Sequence, residues 1–233
     1  LPELFFLADA ANPDIVEAQK LSAKAVESFK SVAGNACVVT SIVADKSGKA
    51  AHAVVAITSQ GIQATQYALH ASARLSWSAL GDEVVTLQLP LGRVGFVTSA
   101  DSIYPEMFRL LSMQGVEVVA IPFKAHEAWE LKTGLVERAA ENRMNLVVAM
   151  RSSGLGTSFA NKLHKDFTVM TPWKERQFDG NLTYPVITRA EDGVGVTIVE
   201  ITPRNAENKV VSHGTNIIRN RPWWLLDAIT QAS

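Results

Sequence analysis

The stretch from Pro105 to Met150 constrains the fold of this chain most, because its hydrophobic period switches repeatedly between helical and extended. Pro105–Met113 reads as a short helix and residues 116–121 as a buried strand. Residues 127–143 place Ala128, Leu131, Leu135 and Ala139 on one helical face, and residues 146–150 are again an apolar run. Helices and strands alternating at short spacing must pack as layers, so the spacing predicts α/β architecture.

Upstream, Ile15, Ala18, Leu21, Ala25, Phe29 and Val32 recur at helical steps, predicting a helix over 12–34 with Asn12 as cap, Pro13 in the first turn and Gly34 as its stop. Residues 37–43 and 51–58 should pair as a hairpin around 45–49. A further strand is predicted to end near Tyr67, and two more flank Pro90-Leu91-Gly92. Residues 152–193 read as loops with at most short elements, 194–201 as a strand, and Arg221-Pro222-Trp223-Trp224 as the opening of a terminal helix. No repeat or linker divides residues 1–233, so a single domain is expected.

The 233 residues are 47% hydrophobic, enough for a core and too many for a disordered chain. Lys and Arg number 22 against 23 Asp and Glu, which leaves no basic footprint for nucleic acid or an anionic membrane. A small-molecule ligand is the expected partner. No apolar run approaches the roughly 18 residues that cross a bilayer. The single cysteine, Cys37, excludes an internal disulfide and fits a reducing, cytoplasmic setting. It lies in an apolar run and reads as a small buried side chain.

Motifs for chemistry are sparse. His52, His70, His126, His164 and His213 have no helical pairing and no cysteine cluster, so no metal site is expected. Neither phosphate-binding glycine motif occurs, and Gly154-Leu155-Gly156 lacks the residues that complete one. There is no G-x-S-x-G elbow either. What remains is residues 95–106, a strand ending in Ser99, Ala100, Asp101 and Ser102 before a helix. Such an end either exposes a reactive side chain or merely terminates a strand and caps a helix.

This segment resembles the nucleophile signature of the carbon–nitrogen hydrolase (nitrilase) superfamily, a strand ending in Cys, aromatic, Asp, followed by aromatic-Pro-Glu. Asp101, Tyr104, Pro105 and Glu106 stand at the matching spacing. The likeness continues through Gly115 to Pro122, Trp129, the run Arg138-Ala139-Ala140-Glu141-Asn142, then Gly154, Gly156, Ser158 and Arg221-Pro222. Upstream, Gly61, Tyr67 and Gly81-Asp82 fit, and Pro2-Glu3 is similar to the strand end that carries the family's catalytic glutamate.

The resemblance implies a four-layer α-β-β-α sandwich of the nitrilase type, no cofactor, and a Glu-Lys-Cys site. There a thiolate attacks a nitrile or amide carbon, the carboxylate moves the proton and the ammonium stabilises developing charge. Glu3 is kept, but Ser99 stands at the nucleophile position and Leu69 at the lysine position. No lysine occurs between Lys49 and Lys124. Ala100 replaces an aromatic beside the nucleophile, and Arg151 stands where asparagine is usual. Ala100, Trp129 and Arg151 are the expected pocket residues, with Trp129 open to a second reading as a helix-to-core contact.

Losing one charge-stabilising donor costs about 3–4 kcal/mol of transition-state stabilisation. An alcohol, unlike a thiol of pKa about 8.5, also has no ready anion. The expectation is therefore a domain inactive or much weakened as a hydrolase, with a pocket serving binding, regulation or assembly. Arg151 favours a carboxylate ligand, and an amide is the other class expected. The alternative is an amidohydrolase with Ser99 as nucleophile, Glu3 as base, and His70, Arg74 or Arg151 as the cation. The resemblance also implies a homo-oligomer joined through the helix after Ser99 and the C-terminal tail. A first strand and helix are expected before Leu1.

Overall fold

A computed structural model describes residues 1–163, 186–193, 195–211, 215–225 and 227. Strands β1 (Val38–Lys46) and β2 (Lys49–Thr58) are alanine-rich and β-branched and pair antiparallel down to Lys46 opposite Lys49. They close on Ser47 and Gly48, both at positive φ (54° and 80°), as tight hairpin turns of this hand require. The connection is thus shorter than the predicted 45–49 loop. Strand β3 (Gly61–Tyr67) pairs with β2 and completes a three-stranded sheet.

One face of this sheet carries helix α1 (Ile15–Val32), whose Val26 and Phe29 meet Ile42, Ala53, Val55 and Ile57. The helix begins later than Asn12. Asp14 is the cap, its carboxylate accepting the Glu17 amide at 3.1 Å, because Pro13 brings no N–H and Asp14 stays extended. The opposite face of β2, with Val54 and Ala56, meets Val94 and Phe96 of a second sheet.

That second sheet runs β4 (Thr86–Leu89), β5 (Gly92–Phe96), β6 (Val118–Phe123), β7 (Asn145–Met150), β8 (Phe159–Lys162) and β9 (Val186–Arg189). Its centre, β5-β6-β7, is parallel, with antiparallel strands on both flanks. Helices α2 (Pro105–Met113) and α3 (Leu135–Asn142) make the two crossovers and bury Phe108, Leu111, Leu135 and Ala139 against Val119, Ile121, Leu146 and Val148. Gly95 lets α2 sit close, since a Cβ there would lie 2.7 Å from Leu111 Cδ2. The layers are therefore α1, small sheet, large sheet, α2 with α3: an α-β-β-α sandwich, as expected.

Three expectations need correction. The helix predicted over 127–143 contains a widened turn, Glu130–Gly134, with the Trp129 ring packed on Gly134. Residues 152–193, read as loops with at most short elements, hold two such elements, β8 and β9, which pair at the sheet edge. Residues 195–201, read as strand, join no sheet among the described residues, and Val196 and Ile198 are each 92% exposed. At the C-terminal end, Trp223–Leu225 forms one short 3-10 turn. His164, His213 and, of the predicted terminal helix, residues 226 and 228–233 lie outside the described residues.

Candidate functional site

The three parallel strands end on one side, and the residues that follow them converge there: Ser99 after β5, Lys124 after β6 and Arg151 after β7. Carboxyl ends of parallel strands are where open α/β sheets place ligands. Beside them runs the chain's first segment. The Leu1 nitrogen donates to the Val39 carbonyl at 2.9 Å and the Leu4 amide to Ser41 Oγ at 2.6 Å, fixing the segment along β1. Leu4 is buried with φ of 39°, a left-handed conformation that costs a side-chain-bearing residue energy and is held by this packing.

The segment buries Glu3, whose Oε1 accepts from Arg74 Nη2. Arg74 comes from the 3-10 turn Ala73–Leu75, beyond the position where the resemblance expects lysine. Leu69 itself packs on the large core, while its amide donates to Asp101 Oδ1 at 3.0 Å. The positive charge beside the glutamate is thus a guanidinium delivered by the following turn. Glu3 Oε2 and Arg74 Nε and Nη1 are buried with no hydrogen-bond partner among the described residues.

Ser99 is also buried. Its Oγ accepts the Lys124 amide at 3.0 Å, and its carbonyl accepts from Ser102 Oγ at 2.7 Å. Asp101, read with Ser99 as a strand end and helix cap, does not cap α2, whose cap residue is Tyr104. Fully buried, it accepts from the Leu69 and His70 amides (3.0 and 2.9 Å), from His70 Nδ1 (2.8 Å) and from Thr98 Oγ1 (2.7 Å). It ties the loop after β3 to the loop after β5. His70 stacks on Tyr104 with centroids 3.6 Å apart, so its ring braces this junction.

A cavity of about 150 Å³ opens between the first segment and the strand ends, walled by Glu3, Leu7, Arg74, Phe123, Lys124 and Arg151. Ser99, Ala100, Leu69 and Trp129 are not among its walls. Arg151 reaches it while donating to the carbonyls of Phe5 and Leu7, the latter at 3.4 Å. Trp129 is 46% exposed and borders a separate crevice of about 10 Å³ beside Gly134. The structure therefore gathers Glu3, Arg74 and Arg151 at one cavity, keeps Ser99 one backbone contact behind it, and leaves Trp129 elsewhere.

One residue of this region escaped the sequence reading. His52 is fully buried on the inter-sheet side of β2, and neither ring nitrogen has a partner among the described residues. Burial holds its pKa below the usual histidine range; Glu3 opposes that, Arg74 adds to it, and Asp101 opposes it. Its sequence signal was the alternation His52, Val54, Ala56, which puts an imidazole on the same buried face as two apolar side chains. Among the described residues no group of three or more His, Cys, Asp or Glu could hold a metal ion. No described helix is long and apolar enough to cross a membrane.

No protein-family model and no curated protein matches this sequence. Solved structures do. An amidase from Nesterenkonia sp. superposes with TM-score 0.59 at 18% identity, over 69% of this chain and 67% of that one. A carbon–nitrogen hydrolase from Helicobacter pylori G27 gives TM-score 0.57 at 18% identity, over 66% of this chain and 60% of that one. The fold is that of the carbon–nitrogen hydrolases. A glutamine-dependent NAD+ synthetase from Acinetobacter baumannii also matches, with TM-score 0.59 at 16% identity over 69% of this chain and 34% of that longer one. On this carbon–nitrogen hydrolase fold the cavity holds a carboxylate and two guanidinium groups, and the hydroxyl at the end of β5 stands behind it.

Proposed function

We propose that this chain is a carbon–nitrogen hydrolase fold whose hydrolytic chemistry is lost or much weakened, and that its cavity binds a small carboxylate or amide in a regulatory or assembly role. The observation that carries this reading is the engagement of both would-be reacting groups. Ser99 Oγ accepts the Lys124 amide away from the cavity wall, and Glu3 is held by Arg74. A serine needs a base to take its proton during attack, and a carboxylate bound to a guanidinium is a poor one. The charge balance of the walls favours an anion, because Arg151 and Lys124 add to a neutral Glu3–Arg74 pair. Copies of the chain associate through the outer face of α2, and the lone cysteine suits a reducing, cytoplasmic setting.

A second reading draws on Arg74. A cation next to Glu3 is what an active amidohydrolase with Ser99 as nucleophile would require, and a variant of the Nesterenkonia sp. AN1 amidase is described in complex with butyramide. Assaying the purified chain against amides, nitriles and carbamates, butyramide included, separates the two. The expected result is no turnover above the Ser99→Ala variant, together with saturable binding of acetate or butyramide. Turnover that Ser99→Ala abolishes would overturn the first reading in favour of the second.

A further inference from the structure

The charges of Glu3 and Arg74 act on the buried His52, and in this group charge is balanced but hydrogen bonding is not. Glu3 and Arg74 cancel one another, and His52 is neutral. Glu3 Oε2, Arg74 Nε and Nη1, and both nitrogens of His52 lack partners among the described residues. The other acid facing this ring, Asp101, spends both oxygens on Leu69, His70 and Thr98. Glu3 Oε1 is spent on Arg74. Glu3 Oε2 and the His52 ring can each accept a proton without giving up a hydrogen bond, but a proton on Glu3 would cancel its ion pair with Arg74, which leaves His52 as the group that gains charge at least cost. Glu3 and Arg74, whose charges act on this ring, form part of the cavity wall.

A carboxylate entering that cavity brings a negative charge into a region of low dielectric, where an uncompensated charge is costly. We propose that His52 takes up a proton when a small carboxylate binds beside Arg74, so that the site takes in the acid as anion plus counter-charge. The inference rests on the reading that this cavity holds a small carboxylate. The proton comes from solvent and returns to it on release, and no covalent bond forms or breaks. The incoming anion offsets Arg74, which opposes protonation of the ring, and adds to Glu3 and Asp101, which favour it. The competing sources of counter-charge are Arg151 and Lys124, both on the cavity wall, which would require no proton.

Titration calorimetry of the full chain with acetate distinguishes these sources when run between about pH 6 and 8 in buffers of different ionisation heat. The expected result is uptake approaching one proton per acetate, with affinity falling about tenfold per pH unit at the alkaline end. His52→Gln should bind acetate with neither proton uptake nor that pH dependence, while His126→Gln, at an exposed histidine, should behave as the parent. Acetate binding without proton uptake, or uptake persisting in His52→Gln, overturns the inference and leaves the cavity reading standing. Absence of acetate binding at every pH overturns the carboxylate reading of the cavity and the inference with it. Where His52→Gln does not fold, the ring resonances of His52 in the parent protein decide. They should move to the protonated position on saturation with acetate, and unchanged resonances overturn the inference.

Discussion

Arg74 and His52 illustrate how far single residues could be read. Glu3, Ser99 and the vacancy at Leu69 were legible because each stands at a fixed offset within a run of similar residues. Arg74 was one of several possible cations, since it follows β3 in an irregular turn where spacing carries no direction. His52 had a period but no partner in sequence. Its burial has a consequence for stability. Because the folded state holds this ring below its ordinary pKa, the unfolded chain binds the extra proton first as pH falls below about 6.5. Stability should therefore decline as the solution is acidified from there, by at most about 1.4 kcal/mol per pH unit, and level off once the folded ring also titrates. Urea titrations at stepped pH should find this slope in the parent protein and a flatter profile in His52→Gln. Equal slopes would assign the acid sensitivity to other groups.

At the scale of elements, strands and crossovers were legible because their side chains alternate or recur over enough residues to set a period. What spacing could not settle was decided by single contacts. Asp14 took the cap from Asn12 by reaching Glu17, and Ser47 with Gly48 shortened the hairpin by accepting positive φ. β8 and β9 could be allowed for as short elements but not placed, because each is four residues long, too short for alternation to stand out among polar neighbours. The seating of α2 on β5 carries its own prediction. A methyl at position 95 collides with Leu111 Cδ2, so Gly95→Ala should destabilise by about 1–3 kcal/mol in urea unfolding. Leu111→Ala in the same chain should recover part of the strain term. A double variant losing the full sum of both single effects would show that the two sites do not touch.

The whole molecule presents one face that its own layers do not use. Leu110 and Met113 are exposed on the outer side of α2 and Ile103 in the turn before it, with Trp129 also exposed and its crevice bordered by Ile103. An apolar cluster of this kind, built on regular helix, suits a second copy better than water. Light scattering should return a mass of at least two chains, and Leu110→Glu with Met113→Glu should reduce it to one. A parent protein of monomeric mass would refute the association.

The two sheets also differ in width. Three strands lie over β4, β5 and β6, whereas β7 turns Val147, 39% exposed, and Ala149 toward a groove of about 410 Å³ edged by Leu1, Pro2 and residues 195–201. Backbone hydrogen bonds at the centre of the large sheet are therefore dry on both sides, while those from β7 outward have solvent close on one. Local opening takes place where the fewest apolar contacts must be surrendered. Among the described residues of the large sheet, amide hydrogen exchange should therefore be fastest in β8 and β9 and slowest along the β5–β6 seam.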